Sequence, residues 1–210
     1  MTAIVRNAIK PRKTPVQARS TLTVEAITEA TIQVLLSHGT ERLTTTRVAE
    51  RAGVSVGTLY QYYPNKQSLM CALLDQKLER VSTAIEAACL AARGKSVGEM
   101  VRVVVERFVD AKMHRADIST ALYKISEDVG GPEIVRRSGL RAVKALQAMF
   151  ATAPDTAAKP DYFTVQVMFS AMAGATRFVL EAGASPAMVR KLREHLVLLC
   201  EGYVRGLSAR

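Results

Sequence analysis

Along almost the whole chain apolar residues recur every three to four positions, the spacing of α-helices that each bury one stripe. No alternation of apolar and polar residues runs long enough to specify a strand, so the pattern predicts an all-α protein. Asn65 is placed to cap a long helix from Lys66 to about Arg93, with Met70, Leu74, Leu78, Val81, Ile85 and Ala88 on one face and Gly94 closing it. A second helix, about Val97 to Arg115, carries Met100, Val101, Val104, Val105 and Phe108, and a third, about Asp117 to Val129, carries Ile118, Leu122 and Ile125. Gly130, Gly131 and Pro132 break the run. Pro132 suits the first position of a helix continuing to about Phe150, and a loop from Ala153 to Pro160 leads to another that ends near Gly183. Ser185 and Pro186 start the last helix, which runs to about Leu207 with Met188, Leu192, Leu196, Leu199 and Tyr203 on one side.

Between Leu43 and Leu69, LTTTRVAERAGVSVGTLYQYYPNKQSL, the pattern changes to two short amphipathic helices joined by a tight turn. Thr44 is an N-cap residue, and the helix behind it runs to Ala52 with Val48 and Ala49 inward. Ala49 is small enough to let a second helix cross closely. Gly53 can take the left-handed conformation that ends a helix, Val54 plugs the corner, and Ser55 caps the next helix. There Leu59 and Tyr63, four apart, share the buried face, which leaves Val56, Gly57, Thr58, Tyr60, Gln61 and Tyr62 outward. A face of tyrosines, a glutamine and a threonine exceeds what solvation needs and suits a DNA groove.

This segment resembles the DNA-binding domain of TetR/AcrR-family transcriptional regulators, through AGVS, GTLY, an aromatic pair and a lysine that opens the following helix. The resemblance extends upstream, where Ile27, Ala30, Val34, Leu35 and Gly39 match the apolar stripe and terminating glycine of that family's first helix, and covers roughly residues 22 to 75. It implies a three-helix DNA-binding domain at 21–67 and a larger helical domain at 68–210 that binds an effector and dimerises, while charge sets residues 1–20 apart as a basic arm. DNA-contacting positions are then expected at Thr44, Thr45, Thr46, Ser55, Val56, Gly57, Thr58, Tyr60, Gln61, Tyr62 and Lys66. Of these, Tyr60 and Lys66 correspond to the family's phosphate contacts. The family dimerises through its last two long helices, and here the small residues of AMAGA, Ala171 to Ala175, would let another helix approach closely. Packing within one chain would use the same surface.

Net charge is +10, and residues 1–20 supply half of it through Arg6, Lys10, Arg12, Lys13 and Arg19 without an acid. Pro11 and Pro15 argue against a helix there, so the arm is either a DNA-contacting strand or a plain basic tail. Residues 21–67 sum to zero. The three cysteines, Cys71, Cys89 and Cys200, have no metal-ligand spacing and form an odd set, which fits a reducing cytoplasm. The most apolar long stretch, Val165 to Leu180, is interrupted by Gln166, Ser170, Thr176 and Arg177, which favours a buried helix over a membrane span.

Bulky adaptable side chains on the central helices, Met100, Phe108, Tyr123, Met149, Phe163, Met168 and Met172, are candidates for an effector pocket, with plain core as the other reading of each. Such a lining favours an apolar or aromatic molecule. Asp110 and His114 have the four-residue spacing of paired metal ligands but no third partner, and a surface ion pair is the simpler reading. His38 is expected at a helix end and His195 part-buried among leucines. No nucleophile motif and no glycine-rich phosphate loop is present, so the chain is expected to be no enzyme and to need no cofactor. The expected partners are a double-stranded DNA operator, a small apolar or aromatic effector and a second copy of the chain, with no membrane. Two functions follow: a regulator, most simply a repressor, released from its operator by the effector, or a constitutive dimeric DNA-binding or architectural protein.

Overall fold

The computed structural model describes residues 18–125, 131–156 and 159–207. Among them are nine helices and no strand: α1 (Ala18–His38), α2 (Thr45–Ala52), α3 (Val56–Tyr62), α4 (Lys66–Ala92), α5 (Val97–Met113), α6 (Ala116–Ile125), α7 (Gly131–Phe150), α8 (Tyr162–Glu181) and α9 (Pro186–Leu207). The arm's Arg6, Lys10, Arg12 and Lys13, and the stretch to Val129 expected to prolong the α6 helix, lie outside the described residues.

The chain divides into two compact units, one holding residues up to Lys77 with Ala121–Ile134, the other Leu78–Thr120 with Val135–Arg210. In the first, α1 packs on α2 and α2 on α3, and Ile27, Ala30, Val34, Leu35, Leu43, Val48, Ala49, Leu59 and Tyr63 are buried. In the second, α5 packs on α8 and α9, and α8 on α9. One apolar core there takes Val81, Ile85 and Ala88 from α4, Met100, Val104 and Phe108 from α5, Leu146 and Met149 from α7, Met168 and Met172 from α8, and Leu192 and Leu196 from α9. Helix α4 starts in the first unit and ends in the second.

Local chemistry explains most of the boundaries. Ser96 and Glu99 form a reciprocal capping box at α5, with Asp155 accepting from the Val97 N–H at 2.8 Å. Asp161 caps α8 by accepting from the Thr164 N–H. The second long helix stops at Met113, short of the expected Arg115, because His114 turns extended at φ -60, ψ 112, and Arg115 follows in a left-handed conformation at φ 55. Helix α7 begins one residue earlier than expected, at Gly131.

The last helix buries Leu192, Leu196, Cys200 and Val204, a strict four-residue stripe. Leu199, expected on that side, is half exposed, and His195 is exposed, because both sit a turn's fraction off the stripe. Asp110 pairs with Arg193 of α9 at 2.7 Å and not with the His114 side chain. His38 sits beside the Ser37 hydroxyl, 2.6 Å from its Nδ1. The three thiols are buried, and burial pushes Cys71 up to about 11 and Cys89 and Cys200 to about 12, so all three stay protonated and inert at neutral pH. Helix α8 is long and apolar enough to cross a membrane by composition, yet its Val165, Met168, Met172, Thr176, Val179 and Leu180 are buried within the protein.

Candidate nucleic-acid interface

Helix α2 ends on Gly53 at φ 67, whose N–H reaches the Glu50 carbonyl while the Val54 N–H reaches that of Ala49 at 3.0 Å. This 6→1 and 5→2 pairing occupies the Ala49 and Glu50 carbonyls and turns the chain within three residues. Ser55 then caps α3 by accepting from the Thr58 N–H at 3.0 Å, and its hydroxyl also lies 2.8 Å from that of Thr58. Thr44 caps α2 in the same way, accepting from the Arg47 N–H at 3.2 Å. Two short helices, far below the length at which an isolated helix holds, are thus fixed by caps at both ends of the turn and by the apolar contacts of Val48, Ala49 and Leu59.

The outward side of this unit is polar and uncharged at its centre. Thr44, Thr46, Ser55, Gly57, Tyr60 and Gln61 are exposed, and Thr45, Val56, Thr58 and Tyr62 are part-exposed. The Thr45 and Tyr60 hydroxyls meet at 3.2 Å, joining α2 to α3 on this face. Behind it Tyr63 is buried, and desolvation raises its phenol above its ordinary value of 10.0 while a hydrogen bond with Thr28 opposes the rise.

Cations ring the face and are held by neighbours. Arg47 donates to the Arg42 carbonyl at 2.7 Å, Arg51 to the Gln33 side chain at 2.6 Å, and the Lys66 ammonium to the Thr40 carbonyl at 2.7 Å. Lys66 thereby stands fixed at the start of α4 with N–H groups still able to meet an anion. Gly57 has no crowding that demands a glycine: a Cβ there would meet only the Ser55 hydroxyl, at 3.8 Å.

A shallow cleft of about 480 Å³ lies beside the turn, lined by Ser20, Thr23, Gly53, Val54, Ser55, Thr58 and Tyr62. Ser20 and Thr23 of α1 are residues that sequence reasoning missed. Their hydroxyls look like ordinary helix-surface positions until the fold brings them beside the turn.

The candidate effector residues divide. Met100, Phe108, Met149, Met168 and Met172 are each at most 2% exposed in the second unit's core. Tyr123 belongs to the first unit. Phe163 is 71% exposed, a correction to its place in a pocket: it shares the outward side of α8 with Val167 and Phe178, opposite Met168 and Met172. Lys112, unnoticed in the sequence, and Thr176, read there only as a polar interruption of the apolar stretch, are both buried.

Comparison with known proteins agrees with this geometry. Residues 27–73 match the profile of bacterial regulatory proteins of the tetR family, and residues 96–203, just over half of the chain, match that of the tetracyclin repressor-like C-terminal domain. The HTH-type transcriptional repressor KstR of Mycolicibacterium smegmatis is 40% identical over 65 residues, 31% of this chain and 32% of that protein. The match thus spans about a third of that relative's length. Over most of the chain the likeness is one of fold. The fatty acid degradation regulator FadR of Bacillus halodurans superposes with a TM-score of 0.69 at 17% identity, covering 86% of this chain and 95% of that one. The TetR-like regulator LfrR of Mycobacterium smegmatis, solved in complex with proflavine, superposes with a TM-score of 0.58 at 22% identity, covering 85% and 96%.

Proposed function

The chain belongs to the TetR family of bacterial transcriptional regulators, and from that premise we propose that it is a homodimeric repressor released from its operator by a small molecule. The observation that carries the DNA-binding part is the outward face of α2 and α3, where hydroxyls and one amide stand exposed on a capped, close-packed scaffold. Gln61 and Thr58 of α3 and Thr46 of α2 would read base edges. Tyr60, Tyr62 and Lys66 would hold phosphates, with Thr44, Thr45, Ser55, Val56 and Gly57 completing the contact surface.

Dimerisation is supported by an exposed apolar stripe. On α8, Phe163, Val167, Ala171, Gly174 and Phe178 face outward at helical spacing, and on α9, Leu198 and Leu199 are 69% and 50% exposed. Large apolar side chains grouped on two long helices need a cover, and a second copy offers an identical surface. A dimer also doubles the contacts that one short recognition helix can make.

Release would work through α4. Its 27 residues span about 40 Å at 1.5 Å per residue, from Lys66 beside the reading unit to Ala92 in the C-terminal core. A ligand that moves the core end would change the spacing of the two recognition helices. The tightly buried Met100, Phe108, Met149, Met168 and Met172 favour a second reading, in which the C-terminal core only dimerises and DNA binding is constitutive.

One experiment separates the two. Compounds are screened for release of the full-length protein from DNA flanking its own gene, and a releasing compound is titrated calorimetrically with and without that DNA. Repression relieved by ligand requires DNA to weaken ligand binding by the same factor that ligand weakens DNA binding, about 5- to 150-fold for ordinary coupling. The constitutive reading is selected if no compound releases the protein and every compound that binds it does so with equal affinity in both titrations.

A further inference from the structure

Tyr60 and Tyr62 of α3 are two residues apart, which places them about 200° from each other around the helix axis. They therefore stand on opposite flanks, with exposed Gln61 on the outward side between them. The Tyr60 flank is tied to α2 through the Thr45 hydroxyl at 3.2 Å. The Tyr62 flank, which Ser55 and Thr58 share at three- and four-residue steps, opens onto the cleft of about 480 Å³ whose lining is completed from α1 by Ser20 and Thr23.

On its α1 side the cleft interrupts an apolar pattern. Val34, Ala30 and Ile27 form the buried stripe of α1, and the next steps along it toward the N-terminus are Thr23 and Ser20. Both are only part-buried, so the stripe turns from apolar groups to hydroxyls where it leaves the core and reaches the cleft. Five of the lining residues bear hydroxyls, and among the described residues none that lines the cleft is charged. Ser20 and Thr23 engage neighbours within the protein, but a hydroxyl proton rotates, and a charged acceptor competes strongly for it. Without a cation the cleft has little to draw a free anion out of water. A phosphate carried in by a duplex that α3 already grips needs no such attraction, because its local concentration is high.

A helix seated in the major groove, about 12 Å wide, has a phosphate backbone on either side. We propose that the cleft between α1 and α3 receives one backbone phosphate of the operator on the Tyr62 side, with Ser20 and Thr23 as its contacts from α1, while Tyr60 faces the opposite strand. The proposal rests on the reading of α3 as the recognition helix and adds two contacts from outside the helix-turn-helix. Hydroxyl groups are ordinary donors to phosphate oxygens, and such contacts set register and orientation without reading sequence. Held at both flanks, α3 cannot roll about its axis, which fixes the side chains that reach the base edges.

The test takes full-length protein and a duplex that it selects from a random-sequence pool. Ser20→Ala combined with Thr23→Val is expected to weaken binding about tenfold or more, on the selected duplex and on point-substituted ones alike. The slope of log affinity against log salt should stay the same, since no charge is removed. Thr23→Ser, which keeps the hydroxyl, should bind within about twofold of wild type. Each backbone phosphate of one half-site is then replaced in turn by a neutral methylphosphonate. One replacement should cost the wild type about tenfold and the double variant less than about threefold, and it should lie on the strand opposite the phosphate coupled in the same way to Tyr60→Phe. Ser20→Ala alone, mild for the fold at a part-exposed position, carries the same coupling at smaller amplitude. Undiminished affinity in the double variant, losses coupled to no phosphate, a changed sequence preference, or coupling of Tyr60 to no phosphate or to one on the same strand would overturn the proposal. Tight binding indifferent to both α1 substitutions leaves the recognition-helix reading and removes the α1 contacts; a protein that selects no duplex removes both.

Discussion

The hydroxyl of Thr45, in the first turn of α2, and that of Tyr60, in the middle of α3, meet at 3.2 Å across the outward side of the reading unit. The contact fixes where the Tyr60 ring stands relative to the turn, and Tyr60 is 41% exposed, open to a phosphate. Tyr60→Phe and Thr45→Val are each expected to weaken operator binding by about 0.5–1.5 kcal/mol, and the double variant by less than the sum, because one hydrogen bond is lost in all three. Fluorescence anisotropy with labelled operator measures the cycle. Full additivity would mean that the two hydroxyls act independently.

Lys66 and Gln61 should fail in different ways. Lys66→Ala is expected to weaken binding to every sequence and to reduce the slope of log affinity against log salt by about one. Its lost bond to the Thr40 carbonyl can lower stability as well, but stability does not alter a salt slope. Gln61→Ala should leave the slope alone and relax choice at one base pair, where a bidentate amide is worth about 1–3 kcal/mol. Competition assays against point-substituted operators decide between these outcomes, and the reverse pattern refutes both assignments.

Gly57 sits exposed at the second position of α3, where a Cβ would make only an ordinary contact with the Ser55 hydroxyl at 3.8 Å. Gly57→Ala is therefore expected to stabilise the fold by up to about 1 kcal/mol, as alanine does for glycine in a helix. If α3 lies in the groove as proposed, the same methyl group would face it, and operator affinity should fall. Thermal melts read the first effect and anisotropy the second. A variant both more stable and fully DNA-competent would show that nothing approaches α3 closely at this point.

The apolar stripe of α8 and α9 predicts the behaviour of charge inserted into it. Phe178→Glu and Leu198→Glu replace side chains 68% and 69% exposed in the single chain, so neither should harm the fold. Each should yield monomers in sedimentation experiments, since a carboxylate buried at a two-fold interface meets its own copy. Operator affinity should fall with dimerisation. Dimers of normal stability in both variants would place the interface elsewhere.

Acid should loosen the contact between α4 and α7. Arg141 of α7 bridges Glu79 and Glu86 of α4, with bonds of 2.9 and 2.7 Å to Glu86. The hydrogen bond from Arg141 holds the Glu79 carboxyl below its ordinary value of 4.5. A carboxylate with a lowered folded value contributes stability that is complete above 4.5 and is lost as pH falls through the lower folded value. Wild-type melting temperature should therefore drop below about pH 4.5, and Arg141→Met should flatten that part of the drop. Since Glu79 is more than half exposed, the effect is expected to be small. Identical pH profiles for the two proteins would remove the bridge as a source of acid sensitivity.

The reading unit was legible in the sequence almost residue by residue, because its determinants are local. Thr44, Gly53 and Ser55 act on backbone groups within three or four positions of themselves, and Leu59 and Tyr63 find the buried side by helical periodicity alone. The same holds for the stripe of α4. What stayed hidden depends on partners distant in sequence. Leu199 and Phe163 have the composition of core residues, and only the packing of α5 against α8 and α9 decides which side of each helix is covered. Asp110 has a neighbour four residues away in His114, yet it pairs with Arg193, 83 positions on. Thr176 reads in the sequence only as a polar break in an apolar stretch. Its cost appears when tertiary structure withdraws the hydroxyl from water with no partner among the described residues, because an orphaned hydroxyl is expensive in a dry interior and costs nothing on a surface.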